Sequence, residues 1–277
     1  MMKNLNISVV IPTLLKNTDV LFRLINTLDA DSFVKEIIVI NNSDKNFSHD
    51  SPKVKIVQSK ANMYVNPSWN YGIKIAKYPL CALFNDDLLV CDGFCGQVAR
   101  LIQKEQNFGC CGMDKNFVHN TQNVSTPKFA KASLKIDNLD IPINCWGCII
   151  FVKKRDWVDI PDDIKIWWGD DFIRFTQVQN KRQVFKISGA PVSHLGSLSS
   201  ANKNFNPIKR KDTLLYSKID PRIKNREDYI LLVQTPFQQK LRTVFHFIIR
   251  CIYQKKITSS GKVIVKILKI PVYRRKV

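Results

Sequence analysis

The sequence predicts an α/β protein: a mixed, mainly parallel sheet flanked by helices, followed by a basic helical C-terminal extension. Three observations carry that expectation. Strand-like and helix-like segments alternate over the first 115 residues. The strand-like segments are apolar throughout rather than at every second position. The positive charge collects at the end of the chain.

The strands come first. "ISVVIP", "KEIIVIN", "KVKIVQ" and "PLCALFND" are short and almost continuously apolar, as expected of strands buried on both faces. Helical patterns separate them at 20–28 after Asp19, at 67–77 with Pro67 in the first turn, and at 94–106. Such alternation implies parallel strands joined by crossover helices. Residues 116–139 are polar and read as loop. A second set follows, with a strand in "NCWGCIIFV" and a turn in "VDIPDD". "IKIWWGDDFIRFTQVQNKR" is helical in its latter part, and the strand "QVFKIS" precedes the loop "GAPVSHLGSLSSANKNFNP". The expected division is 1–207 for the α/β domain and 208–277 for the extension.

Composition narrows the function. The 277 residues suffice for one large core. No apolar run approaches the ~18 residues of a membrane span, and "ISVVIPTLL" reads as a first strand rather than a signal peptide. The eight cysteines lie mostly in apolar runs. Cys145 and Cys148 form a lone CxxC with no second metal-spaced pair, so reduced core cysteines and a cytoplasmic setting are expected. The net charge is +20, yet no acidic residue follows Asp228 while eleven basic ones lie between Lys240 and Lys276. Leu241, Val244, Phe245, Ile248 and Ile252 recur at helical spacing, and "GKVIVKILKIPVYRRKV" mixes aliphatic with basic residues. Both suit a basic amphipathic helix on the anionic inner face of a membrane, placing the protein there as a peripheral partner.

In open α/β sheets ligands bind beyond the carboxyl ends of the strands. Polar clusters stand there: Pro12-Thr13, Asn41-Asn42-Ser43-Asp44 and Asn85-Asp86-Asp87. Turn formation explains the second as well as a binding role does. It explains Asp86-Asp87 less well, because adjacent carboxylates repel and a hard divalent cation, Mg²⁺ or Mn²⁺, relieves that repulsion. Asp170-Asp171 opens a helix, where capping is the competing explanation. His194 taken alone reads better as a satisfied loop histidine than as a ligand. Trp146 with its neighbour Gly147, and the adjacent Trp167 and Trp168, flank these clusters. They offer rings for stacking on sugar, with core packing as the alternative for Trp146.

In their order these pieces resemble the family-2 glycosyltransferases of GT-A (Rossmann-like) fold, over roughly residues 5 to 200. The matching segments are "SVVIPT", "EIIVINNS", "NMYVNPSWNYGIKIA", the DxD-type "FNDD" and "WWGDDFIRF", with His194 lying 23 residues beyond Asp171. The resemblance implies an inverting, metal-dependent hexosyltransferase. It would move sugar from a nucleoside-diphosphate donor, UDP foremost, to a growing surface glycan: lipopolysaccharide, capsule or a lipid-linked oligosaccharide. By the same resemblance Pro12, Thr13, Asn41, Asn42, Asp44, Asn62, Asn70 and Asp86 would bind the nucleotide. Asp87 and His194 would hold the metal, and Asp171, or else Asp170, would be the base. Trp146, Gly147, Trp167 and Trp168 would contact substrate. The chain departs from the family at Asn41 and Asn85, where Asp occurs, and at Tyr64, where Gly is frequent.

Two other functions compete with this one. A sugar-phosphate nucleotidyltransferase would need a glycine-rich basic loop after the first strand, and "IPTLLKNTD" has no glycine. A nucleic-acid-binding protein fits the basic charge, but that charge sits in the tail while the strand ends are acidic, so no nucleic-acid partner is expected.

Overall fold

The computed structural model describes residues 6–137, 146–196, 203–225, 244, 248, 253–257, 262–267 and 270–276. The chain divides into two units, Met1–Asp220 and Pro221–Val277.

In the first unit the strands are β1 (Ile7–Thr13), β2 (Val34–Asn41), β3 (Val54–Gln58), β4 (Leu80–Phe84), β5 (Leu88–Leu89), β6 (Phe108–Met113), β7 (Val118–Asn120), β8 (Ser133–Ile136), β9 (Ile149–Lys153), β10 (Gln183–Ser188) and β11 (Val192–His194). The helices are α1 (Thr18–Ala30), α2 (Val65–Ile75), α3 (Phe94–Ile102), α4 (Gly169–Gln179) and α5 (Asn206–Ile219). Eight strands form one sheet in the order β3-β2-β1-β4-β9-β6-β10-β8. Only β9 and β8 run against the other six.

The apolar strands are central because both their faces are covered. In β1 every residue but Pro12 is buried, and α1 turns Val20, Leu21, Leu24, Ile25 and Leu28 inward. One polar device sits in this core: Ser8 donates to Glu36 at 2.7 Å, and the Lys77 amide donates to the same carboxylate at 2.9 Å. The pair links β1 to β2 and to the segment that leads into β4. Gly72 lets α2 lie directly on β1, since a Cβ there would stand 2.3 Å from Val10 Cγ1.

The reversed strand β9 matters most for the site. It pairs antiparallel with β4, Phe84 opposite Ile149, and the Asn85 amide donates to the Cys148 carbonyl at 3.0 Å. The start of β9 therefore lies beside the acidic end of β4. The strand expected over 144–152 begins only at Ile149, after a 3-10 turn at Trp146–Cys148; Cys145 lies outside the described residues.

Three further expectations change. The polar segment 116–139 contains β7 and β8, and β7 joins β11 and β5 in a second small sheet ordered β5-β11-β7. α5 belongs to the first unit, moving the boundary from 207 to Asp220, because its Asp212 is buried in that unit as described below. Among the described residues of the second unit, strand is the main element where helix was expected. β12 (Tyr253–Ile257), β13 (Lys262–Ile267) and β14 (Ile270–Lys276) form an antiparallel three-stranded sheet. The β-branched Ile257, Val263, Ile264, Val265 and Ile267 favour strands, and the interleaved lysines follow a period nearer two than 3.6. Of the segment expected to be an amphipathic helix, only Val244 and Ile248 are described, both helical and about half exposed.

Candidate active site

Parallel pairing of β1 with β4 sets the ends of these strands side by side, Val10 opposite Leu83. Beyond that register, Thr13 meets Asp86: its hydroxyl donates to Asp86 Oδ2 at 2.5 Å and accepts the Leu15 amide at 2.9 Å. Burial pushes the Asp86 carboxyl up to about 6, opposed by the Thr13 hydrogen bond and reinforced by the neighbouring charge of Asp87. Pro12, in the same strand, stands opposite Ile40.

Asp87 immediately precedes β5 of the small sheet. β11 pairs antiparallel with β5, His194 opposite Leu88, and the Leu195 amide donates to the Asp87 carbonyl at 2.9 Å. This register brings His194 Nε2 to 3.0 Å from Asp87 Oδ1, both buried. The two atoms face one another without hydrogen-bond geometry. On the other side β7 places Asn120 opposite His194, and His194 Nδ1 lies 3.0 Å from Asn120 Oδ1. An amide oxygen only accepts, so Nδ1 carries a proton, and with a cation bound Nε2 would offer its lone pair to that cation beside the carboxylate. Two lone-pair donors held together in this way suit a shared cation. An imidazole oriented through its other nitrogen is the usual arrangement of a metal ligand.

Two protein ligands also match a hard divalent ion that keeps positions for phosphate oxygens and water. Among the described residues no group of three or more His, Cys, Asp or Glu is gathered for a metal, so the remaining ligands would come from substrate and solvent. Asn120 was not anticipated, and 74 residues separate it from His194 with no local signal to join them.

The amides expected to bind nucleotide are mostly engaged elsewhere. Asn41 is fully buried; its Nδ2 donates to the Lys45 carbonyl (2.6 Å) and Gln58 Oε1 (2.7 Å), while its Oδ1 accepts from the Ser43 amide and hydroxyl. Its hydrogen-bonding capacity is spent, leaving none for a base. Asn70 sets both ends of its amide on the Ile160 peptide, at 2.7 and 3.0 Å. Asn42 bridges Ser68 and the Met63 amide, and Asn62 accepts from the Tyr64 amide. Asp44 is exposed on the loop. Together they shape the rim after β2 and the entry to α2.

Asp170 and Asp171 begin α4, whose N-cap is Trp168 with no side-chain capping bond. They face different neighbours. Asp171 pairs with Arg174 Nη1 at 3.1 Å, and the buried Arg174 also holds Asp137 at 2.7 Å. Asp170 lies against Gly147, where a Cβ would come 2.6 Å from its Oδ2. Because the Trp146–Cys148 turn abuts Asn85, Asp170 is continuous with the acidic end of β4, whereas Asp171 is turned into an ion-pair network.

Two of the tryptophans are corrected. Trp146 is fully buried, beneath Arg174 at 5.4 Å and so tight on Gly112 that a Cβ there would meet its ring at 2.3 Å. Trp168 is also buried, stacked on Tyr216 with centroids 5.4 Å apart and donating from Nε1 to Thr213. Both are core. Trp167 is half-buried, with Lys209 Nζ 5.0 Å from its ring centroid.

The loop bearing these residues is held by groups not anticipated from the sequence. Asp212 of α5 accepts three consecutive amides, Lys165 at 3.0 Å, Ile166 at 2.8 Å and Trp167 at 2.9 Å. Asn66 of α2 donates to the Ile164 carbonyl at 3.1 Å. A signal for Asp212 existed, since it is the lone acid in the basic helix "NPIKRKDTLLYSKI".

No curated protein matches the sequence. Among solved structures the fold is shared with GalNAc-T7 crystallised with UDP, GalNAc and Mn²⁺, at TM-score 0.56 and 12% identity, covering 95% of this chain and 65% of that one. It is shared likewise with residues 1–349 of TarS from S. aureus, at TM-score 0.52 and 14% identity, covering 95% of this chain and 96% of that one. These likenesses show the GT-A architecture. The family model described as "Glycosyl transferase family 2" matches residues 8–157, more than half of the chain, and the protein therefore belongs to that family of glycosyltransferases.

Proposed function

We propose that the protein is an inverting glycosyltransferase that moves a sugar from a UDP-sugar, with a divalent cation, to a hydroxyl of a surface glycan built at the membrane. The observation that carries the reading is the pair Asp87 Oδ1 and His194 Nε2, 3.0 Å apart beside the Asp86–Thr13 pair. UDP and Mn²⁺ occur together in the GalNAc-T7 structure.

Asp87 and His194 would hold the cation, which when bound neutralises charge developing on the departing diphosphate. Thr13 and Asp86 line the adjoining strand ends and fix the nucleotide side of the donor. Asp170 is assigned to take the acceptor hydroxyl's proton, because it lies against Gly147 in the turn that bonds Asn85 at the acidic end of β4. Of the two expected candidates, Asp171 or else Asp170, the proposal takes the second. The acceptor oxygen attacks the anomeric carbon as the bond to the diphosphate breaks, inverting the centre without a covalent intermediate. Trp167, half-buried next to this acid, is left as the ring for an acceptor sugar.

The second unit supports a membrane-borne acceptor. Its three strands carry seven basic residues, Lys255, Lys256, Lys262, Lys266, Arg274, Arg275 and Lys276. Each basic residue near an anionic surface contributes on the order of 1 kcal/mol, so a few suffice for reversible attachment. Among the described residues no helix is long and apolar enough to cross a membrane.

The deciding experiment screens nucleotide sugars with and without Mn²⁺ for thermal stabilisation and slow hydrolysis. One UDP-sugar should raise Tm only with the metal and release UDP. Stabilisation by none overturns the reading. For the membrane, the full chain should sediment with phosphatidylglycerol vesicles and not with phosphatidylcholine, and equal binding to both would remove the electrostatic attachment.

A further inference from the structure

The loop at 164–169 is gripped from two sides before it delivers Asp170 to α4. Toward α5 it turns three successive amides, all onto one fully buried carboxylate, that of Asp212. Toward α2 it turns carbonyls: Ile164 accepts from Asn66 Nδ2 at 3.1 Å, and Lys165 from the Asn66 amide at 3.0 Å. Next in sequence, Trp168 holds a left-handed backbone with φ 68°, a conformation costly for a bulky residue. α5 secures that residue too, through Thr213 at 2.8 Å from its Nε1 and Tyr216 stacked on its ring. Gly169 then passes so close to Asn66 that a Cβ would stand 2.0 Å from its Oδ1. Asp170 follows immediately.

Asp212, Thr213 and Tyr216 occupy one face of α5, at spacings of one and four residues. A helix whose only acid is spent on backbone amides of a distant loop, with its neighbours locking the strained residue after them, fixes where that loop ends. We infer that Asp212 is a positioning residue for the candidate base: it sets the 165–167 peptides, and through Trp168 and Gly169 the direction from which the Asp170 carboxylate enters the site. The inference rests on the reading of Asp170 as the base. It also extends the working enzyme past residue 157, where the family match ends, to include α5.

The test uses the full chain and turnover of the UDP-sugar to water, followed by released UDP, so that no acceptor need be known. In Asp212→Asn the amide still accepts, but its NH₂ meets at least one of the three backbone amides as donor against donor. Release of UDP should fall by about 10- to 100-fold in kcat, while affinity for UDP with Mn²⁺ stays within about 2-fold. Thr213→Val, a milder change on the same face, should move kcat in the same direction and covers the case in which Asp212→Asn does not fold. The discriminating readout is the double variant with Asp170→Asn, in which the two losses should fail to multiply because one acts through the other. Unchanged kcat in both single variants, or losses that multiply with Asp170→Asn, would overturn the inference. If Asp170→Asn itself keeps wild-type turnover, the assignment of the base falls instead, and the two failures are told apart.

Discussion

Thr13, Asp86, Asp87 and His194 are placed by strand register, whereas the residues facing them at 164–170 are placed by side chains that seize a loop. In the first region backbone ladders do the aligning: β1 on β4 sets Thr13 beside Asp86, and β5 on β11 sets Asp87 beside His194. In the second, Asp212, Asn66 and Asn70 reach from helices to backbone amides and carbonyls of residues 160–167. A ladder tolerates side-chain replacement because its bonds are main-chain. A clamped loop depends on single carboxylates and amides, each of which leaves buried backbone groups unpaired when removed, at about 1–3 kcal/mol. Substitutions that act on binding should therefore separate from substitutions that act on turnover.

The largest effect is expected at the end of the clamped loop. Asp170→Asn should lower turnover by about 10²–10⁴-fold with UDP–Mn²⁺ affinity retained, and Asp171→Asn should cost less turnover while lowering Tm through the lost Arg174 pair. A reversed ranking in steady-state assays returns the base to Asp171. Gly147→Ala comes next. Its Cβ would meet the Asp170 carboxylate at 2.6 Å, so kcat should fall by about 10- to 100-fold without loss of nucleotide affinity, and an unchanged kcat would detach Gly147 from the site.

On the register-built side the effect should appear in metal titrations. His194→Ala should weaken Mn²⁺ binding in the presence of UDP by about 10- to 100-fold, with Asn120→Ala moving it the same way by less. Calorimetry showing equal Mn²⁺ affinity in wild type and His194→Ala would make the histidine purely structural. The smallest effect concerns Asp86. Its folded carboxyl titrates near 6, above the ordinary value of 3.8, so the native state holds its proton longer than the unfolded chain does. Stability should fall as pH rises through that window. Without metal or nucleotide, the urea midpoint should drop between about pH 4 and 6, and Asp86→Asn should flatten that segment.

The same contrast explains what could be read from the sequence. Asn85-Asp86-Asp87 stands at the end of an apolar strand, where both periodicity and chemistry are local, so the cluster is recognisable, whereas His194 is singled out only by the family resemblance. The mainly parallel sheet was legible for the same reason. What escaped was non-local. Asn120 sits in a segment too polar to read as a strand, and β7 exists because it pairs with β11. Asp212 meets its amides from 45 to 47 residues away. Asn41 was legible as a polar residue at a strand end but not in its role, since Asn in a turn and Asn at a base look alike until Lys45, Ser43 and Gln58 are seen around it. Of the adjacent tryptophans only burial could say that Trp168 points inward. In the second unit a repeat of aliphatic and basic residues suggests helix, while the β-branched run in β13 carries the opposite information.

The position of α5 bears on how such a protein could be recombined. The family-matched stretch 8–157 carries β1, β4 and the acidic end of β4, and so Thr13, Asp86 and Asp87 but not His194. The loop at 164–169 and the helix that clamps it lie downstream and contact each other through Asp212, Thr213 and Tyr216. An exchange of specificity between relatives that breaks at residue 207 would split this pair and graft a loop without its clamp. One that transfers residues 158–220 as a single cassette would carry both, which makes Asp220 the natural seam of the molecule.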